Sequence, residues 1–220
     1  MKQHLNTIGL IPDGNRRYAK QLGISYYEAY QIGYEKILDF MDYCSEKKIK
    51  NIIVYALSAD NFLRSNIGEL LKFEEEKLIE AMNDERIHKN KIKIEVVTTE
   101  EDKMPKSMLG TMKAVYDATK DYGKHCLKLL VGYSAQKEIV RSLAKGLPKG
   151  TKDMISGLIV KENVDLVVRS GGAQRLSDFL PIQTRYSELY FIDKLWPAVI
   201  RSDFDNAVNF YYTQKRNFGK

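Results

Sequence analysis

The chain has 220 residues, 44% of them apolar, and carries 35 Lys and Arg against 29 Asp and Glu for a formal net charge of +6. That length suits one well-buried domain and is short for two; no apolar run nears the roughly 18 residues of a bilayer-crossing helix, and the N-terminus lacks a signal-peptide core, so a cytoplasmic protein with at most peripheral membrane association is expected. The positive balance favours anionic partners, yet the lysines at Lys47-Lys48, Lys89 to Lys93 and Lys145 to Lys152 form no arginine-aromatic module of the kind that reads nucleic acid.

In chain order, apolar runs at Leu5 to Ile11, Ile52 to Leu57, Ile92 to Val97, Leu127 to Val131, Leu166 to Val168 and Leu189 to Ile192 predict six strands. They do not alternate strictly, which is the mark of strands buried on both faces of a sheet. Helical spacing predicts helices near residues 14–22, 26–47, 66–88, 104–121, 135–145 and 203–215. Together these elements predict a single α/β domain over residues 1–220, a mostly parallel six-stranded central sheet flanked by helices. Gly146-Leu147-Pro148-Lys149-Gly150 is the clearest break and is expected as a surface loop, because the stretch it precedes is too short for its own core. Cys44 and Cys126 lack metal spacing and are expected to be reduced packing residues, while His4, His88 and His125 fall at element edges without a second zinc ligand nearby.

Three segments carry chemistry. In Leu10-Ile11-Pro12-Asp13-Gly14-Asn15-Arg16-Arg17-Tyr18-Ala19 an apolar run ends in an acid, a glycine and two arginines just where helical spacing begins. Such a turn lets the backbone approach a ligand and aims helix N–H groups at phosphate oxygens, and Asp13 is suited to the magnesium that shields them. An ordinary strand-to-helix turn with a solvated basic face has the same appearance. Asp165 through Ser177 repeats the theme: Arg169 and Arg175 flank Gly171-Gly172, whose amides are expected to form an anion nest, and Ser177 adds a hydroxyl. Charge-assisted hydrogen bonds of this kind are worth about 1.5–3 kcal/mol each. Two diphosphate sites in one chain suggest an enzyme that joins two diphosphates. The third segment, Ser58 to Arg64, also comes directly after a predicted strand, and ligands of open α/β sheets collect at the carboxyl ends of strands.

With Tyr55-Ala56-Leu57-Ser58-Ala59-Asp60-Asn61-Phe62-Leu63-Arg64 between these two blocks, and Tyr186-Ser187-Glu188-Leu189-Tyr190-Phe191 closing the last, the sequence resembles the cis-prenyltransferases from about Ile8 to Gly219. The resemblance implies an elongated apolar tunnel between sheet and helices, for which the segment from Glu69 to Met82 is a candidate wall or an ordinary amphipathic helix. It implies Asp13 as the pivotal acid, handling Mg2+, with Glu188 at a second metal-linked position or in a pair near a subunit contact. Gly14, Asn15, Arg16, Arg17, Tyr26, Tyr30, Phe62 and Arg64 match the allylic-diphosphate site, although Arg17 could instead pair structurally with an acid and Phe62 could simply pack. Arg169, Arg175 and Ser177 match the second diphosphate site, and Asn15, Ser58, Asn61 or the released diphosphate could relay the proton lost after coupling. A homodimer is implied.

The departures are informative. Tyr26 and Tyr30 stand where chain-elongating members present an arginine and a histidine, Pro12 replaces a methionine, Ala173 a glutamate, and Pro181 follows Phe179-Leu180. These look like the lavandulyl and cyclolavandulyl diphosphate synthases, whereas Asn15, Asp60 and Arg64 resemble the elongating enzymes. Asp60 is one methylene shorter than the usual glutamate, and Asn217 in Arg216-Asn217-Phe218-Gly219 takes the place of an arginine that completes the site across a dimer. The expected function is coupling of an allylic prenyl diphosphate with isopentenyl diphosphate, with dimethylallyl diphosphate as an alternative acceptor giving a branched product. A non-catalytic subunit of a heteromeric prenyltransferase is the competing expectation. A nucleotide-phosphate enzyme is disfavoured, because no Gly-x-Gly-x-x-Gly or Walker pattern is present.

Overall fold

The computed structural model describes residues 4–144 and 146–215. Its central strand, Thr7–Ile11 (β1), is buried at every residue, as a strand covered on both faces must be. Gly9 lets the strand lie close under Phe179, whose ring would stand 2.7 Å from any Cβ there. β1 pairs with Asn51–Ser58 (β2) on one side and Leu166–Arg169 (β5) on the other. His125–Tyr133 (β4) lies outside β2, Ile92–Val97 (β3) forms one edge, and Glu188–Phe191 (β6) forms the other. The order is β3-β4-β2-β1-β5-β6 and every pairing is parallel.

Parallel neighbours need long crossovers, and helices supply most of them. Asn15–Leu22 (α1) and Tyr26–Glu46 (α2) follow β1, while Ile67–Asn83 (α3) and Glu85–Lys89 (α4) follow β2. Lys106–Thr119 (α5) follows β3, Ala135–Ala144 (α6) and Thr151–Gly157 (α7) follow β4, and Arg201–Thr213 (α8) closes the described chain. α2 starts where Ser25 and Glu28 cap each other: the Ser25 hydroxyl accepts from the Glu28 amide at 3.1 Å and the Glu28 carboxylate accepts from the Ser25 amide at 2.8 Å. The single helix expected over 66–88 is broken at Asp84, which turns extended and accepts from the Arg86 amide at 2.8 Å to cap α4. α7 was not expected; the glycine-rich break before it is real, but helix resumes after Gly150 and packs on α6.

Two apolar layers sandwich the sheet. On one face, Leu38 and Met41 of α2, Leu70 and Leu78 of α3, Met108 of α5 and Phe204 of α8 meet Leu10, Val54 and Val168. On the other, Ile53, Tyr55 and Val167 meet Phe179, Leu180 and Val160. Each such side chain contributes about 1.5–3 kcal/mol when withdrawn from water. The link from β5 to β6 is irregular, with Gly171, Gly172, Ser177, Asp178 and Leu180 all at positive φ. Three of these are not glycine, so the loop stores backbone strain beside the carboxyl ends of β1 and β5.

Candidate active site

The strand register brings the first and last sequence blocks together: Ile11 lies opposite Arg169, and Asp13 is two residues beyond. Arg169 is almost fully buried, its side chain 5% exposed, and its Nη2 donates to Asp13 Oδ2 at 2.9 Å. Its Nη1 donates to the Arg175 carbonyl and to Ser177 Oγ, the latter at 2.9 Å. Arg17 reaches the other Asp13 oxygen at 3.2 Å and donates from Nη1 to the Gly171 carbonyl at 2.9 Å. The Asp13 carbonyl accepts from Ser170 Oγ and the Trp196 amide, both at 3.0 Å. Asp13 is therefore fixed from three elements. Gly14 is required here twice over: its φ is 121°, and Leu195 packs 2.9 Å from where a Cβ would stand.

Around this knot opens a cavity of about 640 Å³, lined by Asp13, Gly14, Asn15, Arg16, Arg17, Tyr26, Tyr30, Ser58, Asn61, Arg64, Arg169 and Ser177 among others. Gly14 caps α1 without a side-chain hydrogen bond, which leaves the first-turn amides to other acceptors. Arg64, carried in by the 3-10 turn Ala59–Leu63 after β2, has a pKa lowered first by burial and then by the charge of Arg16. Among the described residues neither Arg16 nor Arg64 has an ion-pair partner, so two cations face each other uncompensated, an arrangement that an anion relieves. Tyr30, whose phenol pKa is raised by burial, has a buried hydroxyl with no hydrogen-bond partner among the described residues, and the same is true of Asn15 Oδ1 and Arg169 Nε. Such orphaned groups in a cavity wall mark where a polar ligand would bond.

Residues 11–219 match the family model described as "Putative undecaprenyl diphosphate synthase". The chain belongs to the undecaprenyl diphosphate synthase family. It is 36% identical to the tritrans,polycis-undecaprenyl-diphosphate synthase (geranylgeranyl-diphosphate specific) of Pyrobaculum aerophilum, covering 97% of this chain and 95% of the relative. The protein of the same description from Methanocaldococcus jannaschii is 32% identical over 97% and 82% of the two chains. Among solved structures, lavandulyl diphosphate synthase from Lavandula x intermedia in complex with dimethylallyl diphosphate superposes with a TM-score of 0.89 at 25% identity, covering 98% of both chains. A probable undecaprenyl diphosphate synthase from Campylobacter jejuni gives 0.84 at 26% identity, over 99% of this chain and all of that one. These relatives are prenyl diphosphate synthases, a group of prenyltransferases.

Not every residue expected from sequence joins the site of this undecaprenyl diphosphate synthase family member. Glu188 begins β6 opposite Leu166, at the amino end of the sheet, whereas Asp13 lies beyond the carboxyl end of β1. One ion cannot be shared by those two carboxylates of a single chain across about three residues of strand rise, roughly 10 Å. Phe62 turns away from the cavity lining and fills the notch left by Gly132, where it would stand 2.6 Å from an added Cβ. The Arg175 side chain is exposed and outside the lining; its contribution is the carbonyl that holds Arg169. The expected anion nest is already filled, since the Gly171 and Gly172 amides donate to Lys194 and Ile192 carbonyls at 2.8 and 3.1 Å. Arg216 to Gly219 lie outside the described residues. Sequence reasoning missed Lys20, Tyr34, Ile37 and Trp196 in the cavity wall, whereas Phe73 and Glu74 come from the segment Glu69 to Met82 expected as a candidate wall. Trp196 had a signal, being the chain's single tryptophan; it donates from Nε1 to the Gly33 carbonyl at 2.8 Å and so ties α2 to the site.

Proposed function

We propose that this cavity couples two isoprenoid diphosphates. The observation that carries the reading is the Asp13–Arg169 pair, which joins two cation-lined regions into one cavity. The allylic prenyl diphosphate is assigned to Arg16, Arg17, Arg64 and the first-turn amides of α1, and isopentenyl diphosphate to Arg169 and Ser177, whose hydroxyl proton is free to donate because its oxygen already accepts from Arg169. Arg175 is left out of the contact set.

A single carboxylate fits the way Mg2+ is commonly held, by one or two carboxylates together with substrate phosphate oxygens and water. Asp13 retains acceptor capacity beyond its two guanidinium contacts and would hold the ion there. Bound in this way, the ion supplies positive charge to the departing diphosphate. Arg16, Arg17 and Arg64 stabilise the same charge as the allylic carbon–oxygen bond breaks, and the aromatic and aliphatic wall keeps water from the developing carbocation. The allylic carbon then bonds to the terminal alkene carbon of isopentenyl diphosphate. The proton lost on restoring the double bond passes to the released diphosphate, along a wall offering Asn15 Oδ1, Ser58 and Asn61.

Tyr26 and Tyr30, in place of cationic groups, and the likeness to lavandulyl diphosphate synthase support a second substrate choice, dimethylallyl diphosphate as acceptor with a branched product. The intact Asp13–Arg169–Arg17 knot argues against a non-catalytic subunit. A homodimer acting in the cytoplasm is part of the proposal; exposed Tyr186 and Leu189 at the β6 edge suit a subunit contact, and among the described residues no helix is long and apolar enough to cross a membrane. The test incubates purified protein with Mg2+, farnesyl diphosphate and either isopentenyl or dimethylallyl diphosphate, and tracks diphosphate release and product mass. Release with a product longer by one isoprene unit is expected, and NMR distinguishes linear from branched coupling. No release with any pair, alone or with a second protein, defeats the proposal.

A further inference from the structure

The loop from β5 to β6 makes a tight turn just after Arg175, where the Phe179 amide donates to the Leu176 carbonyl at 3.1 Å. Its two central residues, Ser177 and Asp178, have φ of 52° and 65°, the sign pattern of a type I′ turn. Glycine, asparagine and aspartate take such turns readily, but serine in the first central position does not, so the local sequence does not hold this shape by itself. Burial of Phe179 fixes where the turn ends but not the direction of the Ser177 hydroxyl. Two contacts from outside the turn do that. Arg169 Nη1 donates to Ser177 Oγ at 2.9 Å, and Ser134 Oγ donates to Asp178 Oδ2 at 2.7 Å. Ser134 is a firm post. It is the one residue between β4 and α6, its carbonyl accepts from the Glu138 amide at 3.0 Å, and its own amide donates at 2.9 Å to Thr99 Oγ1 beyond β3. Thr99 is buried and donates to the Gly132 carbonyl at 3.1 Å, so the post is fixed to the carboxyl ends of two strands.

We propose that Ser134 and Asp178 are positioning residues for the second diphosphate: their hydrogen bond holds the left-handed turn that aims the Ser177 hydroxyl into the cavity. This rests on the reading of Arg169 and Ser177 as the isopentenyl diphosphate site. Ser177 lines the cavity and neither Ser134 nor Asp178 does, so the pair acts through the turn and not on substrate. The chemistry of the site shows why a second anchor matters. Once a diphosphate arrives, Arg169 has phosphate oxygens to serve, and its hold on Ser177 is shared with the ligand. The Ser134–Asp178 bond lies outside the cavity, is not drawn on by the ligand, and is strengthened by the carboxylate charge. Without it, the turn relaxes toward the right-handed or extended backbone that residues other than glycine prefer, and the hydroxyl leaves the phosphate.

The experiment titrates isopentenyl diphosphate calorimetrically into wild type, Ser134→Ala, Ser134→Thr, Asp178→Ala and Asp178→Gly, each saturated with farnesyl thiolodiphosphate as an unreactive allylic analogue. Ser134→Ala and Asp178→Ala are expected to bind isopentenyl diphosphate about tenfold more weakly with affinity for the analogue unchanged, while Ser134→Thr, which keeps the hydroxyl, matches wild type. Asp178→Gly separates the turn from the carboxylate. Glycine takes positive φ at no steric cost, so this variant is expected to keep most of the affinity that Asp178→Ala loses. Equal losses in the two Asp178 variants, weakening of both ligands alike, or wild-type binding in folded Ser134→Ala overturns the proposal. Should Ser134→Ala fail to fold, the Asp178 pair decides. Hydrogen exchange of the Phe179 amide, followed without ligand, is expected to quicken about tenfold in Ser134→Ala and Asp178→Ala as the turn loosens. Unchanged exchange overturns the tether. Quickened exchange in a protein whose wild type takes up no isopentenyl diphosphate upholds the tether and defeats the reading of the cavity instead.

Discussion

Two halves of one cavity handle positive charge in opposite ways. At the junction of β1 and β5, Arg169 and Arg17 are both satisfied by Asp13, and Arg169 is also tied to Ser177 and the Arg175 carbonyl. On the α2 side, Arg16 and Arg64 face each other with no ion-pair partner among the described residues. The first half is a built framework whose charges are already compensated, and the second has charge held in reserve for a ligand. Mutations should therefore separate: those in the compensated half cost both structure and activity, and those in the uncompensated half cost activity alone.

The largest effect is expected for Asp13. Asp13→Asn keeps an acceptor for Arg169 but leaves that buried guanidinium without its counter-charge, and should lower kcat by about 10²–10³ and cost about 1–3 kcal/mol of stability; steady-state diphosphate release beside urea unfolding checks this. Arg169→Ala removes the buried member of the pair. It should weaken use of isopentenyl diphosphate about tenfold to a hundredfold and cost about 1–3 kcal/mol of stability, measured by KM for each substrate and by urea unfolding. Arg64→Ala should raise KM for the allylic diphosphate about tenfold and leave stability level or slightly improved, because a like-charge repulsion with Arg16 disappears. A drop in stability for Arg64→Ala equal to that for Arg169→Ala would erase the distinction between the halves.

The smallest effect concerns pH and Glu74. Its pKa is raised from 4.5 to about 7 by burial, so between those values the folded chain holds a proton that the unfolded chain has released. Stability from this group is then full below 4.5 and declines as pH rises through about 7. Glu74→Gln removes that decline, and should equal wild type near pH ~4 and exceed it by about 1–3 kcal/mol near pH ~8. Urea unfolding at both values measures the difference.

Much of this was legible in sequence. Continuous apolar runs located all six strands, because strands covered on both faces need no alternation, and the Asp13–Arg17 and Arg169–Ser177 blocks met where the parallel register takes them. What escaped was set by tertiary geometry. Glu188 belongs to an apolar run whose position is unmistakable, but only the register of β6 reveals that it starts at the far end of the sheet. Phe62 sits inside a motif and still points to Gly132, since a 3-10 turn sends neighbouring side chains in different directions. Nothing in the acidic run Phe73-Glu74-Glu75-Glu76 marks Glu74 by residue type, although its spacing of four from both Leu70 and Leu78 places it on the buried stripe. The amides of Gly171 and Gly172 read as an anion nest because a sequence does not show the carbonyls of Lys194 and Ile192 that take them.

The central claim is that two diphosphates occupy this one cavity together, on either side of the Asp13–Arg169 pair. The direct measurement is calorimetric titration of isopentenyl diphosphate into protein already saturated with farnesyl thiolodiphosphate, an analogue that does not react. One further equivalent bound per chain, abolished by Arg169→Ala while the analogue stays bound, is the predicted result. Displacement of the analogue by isopentenyl diphosphate would contradict the account.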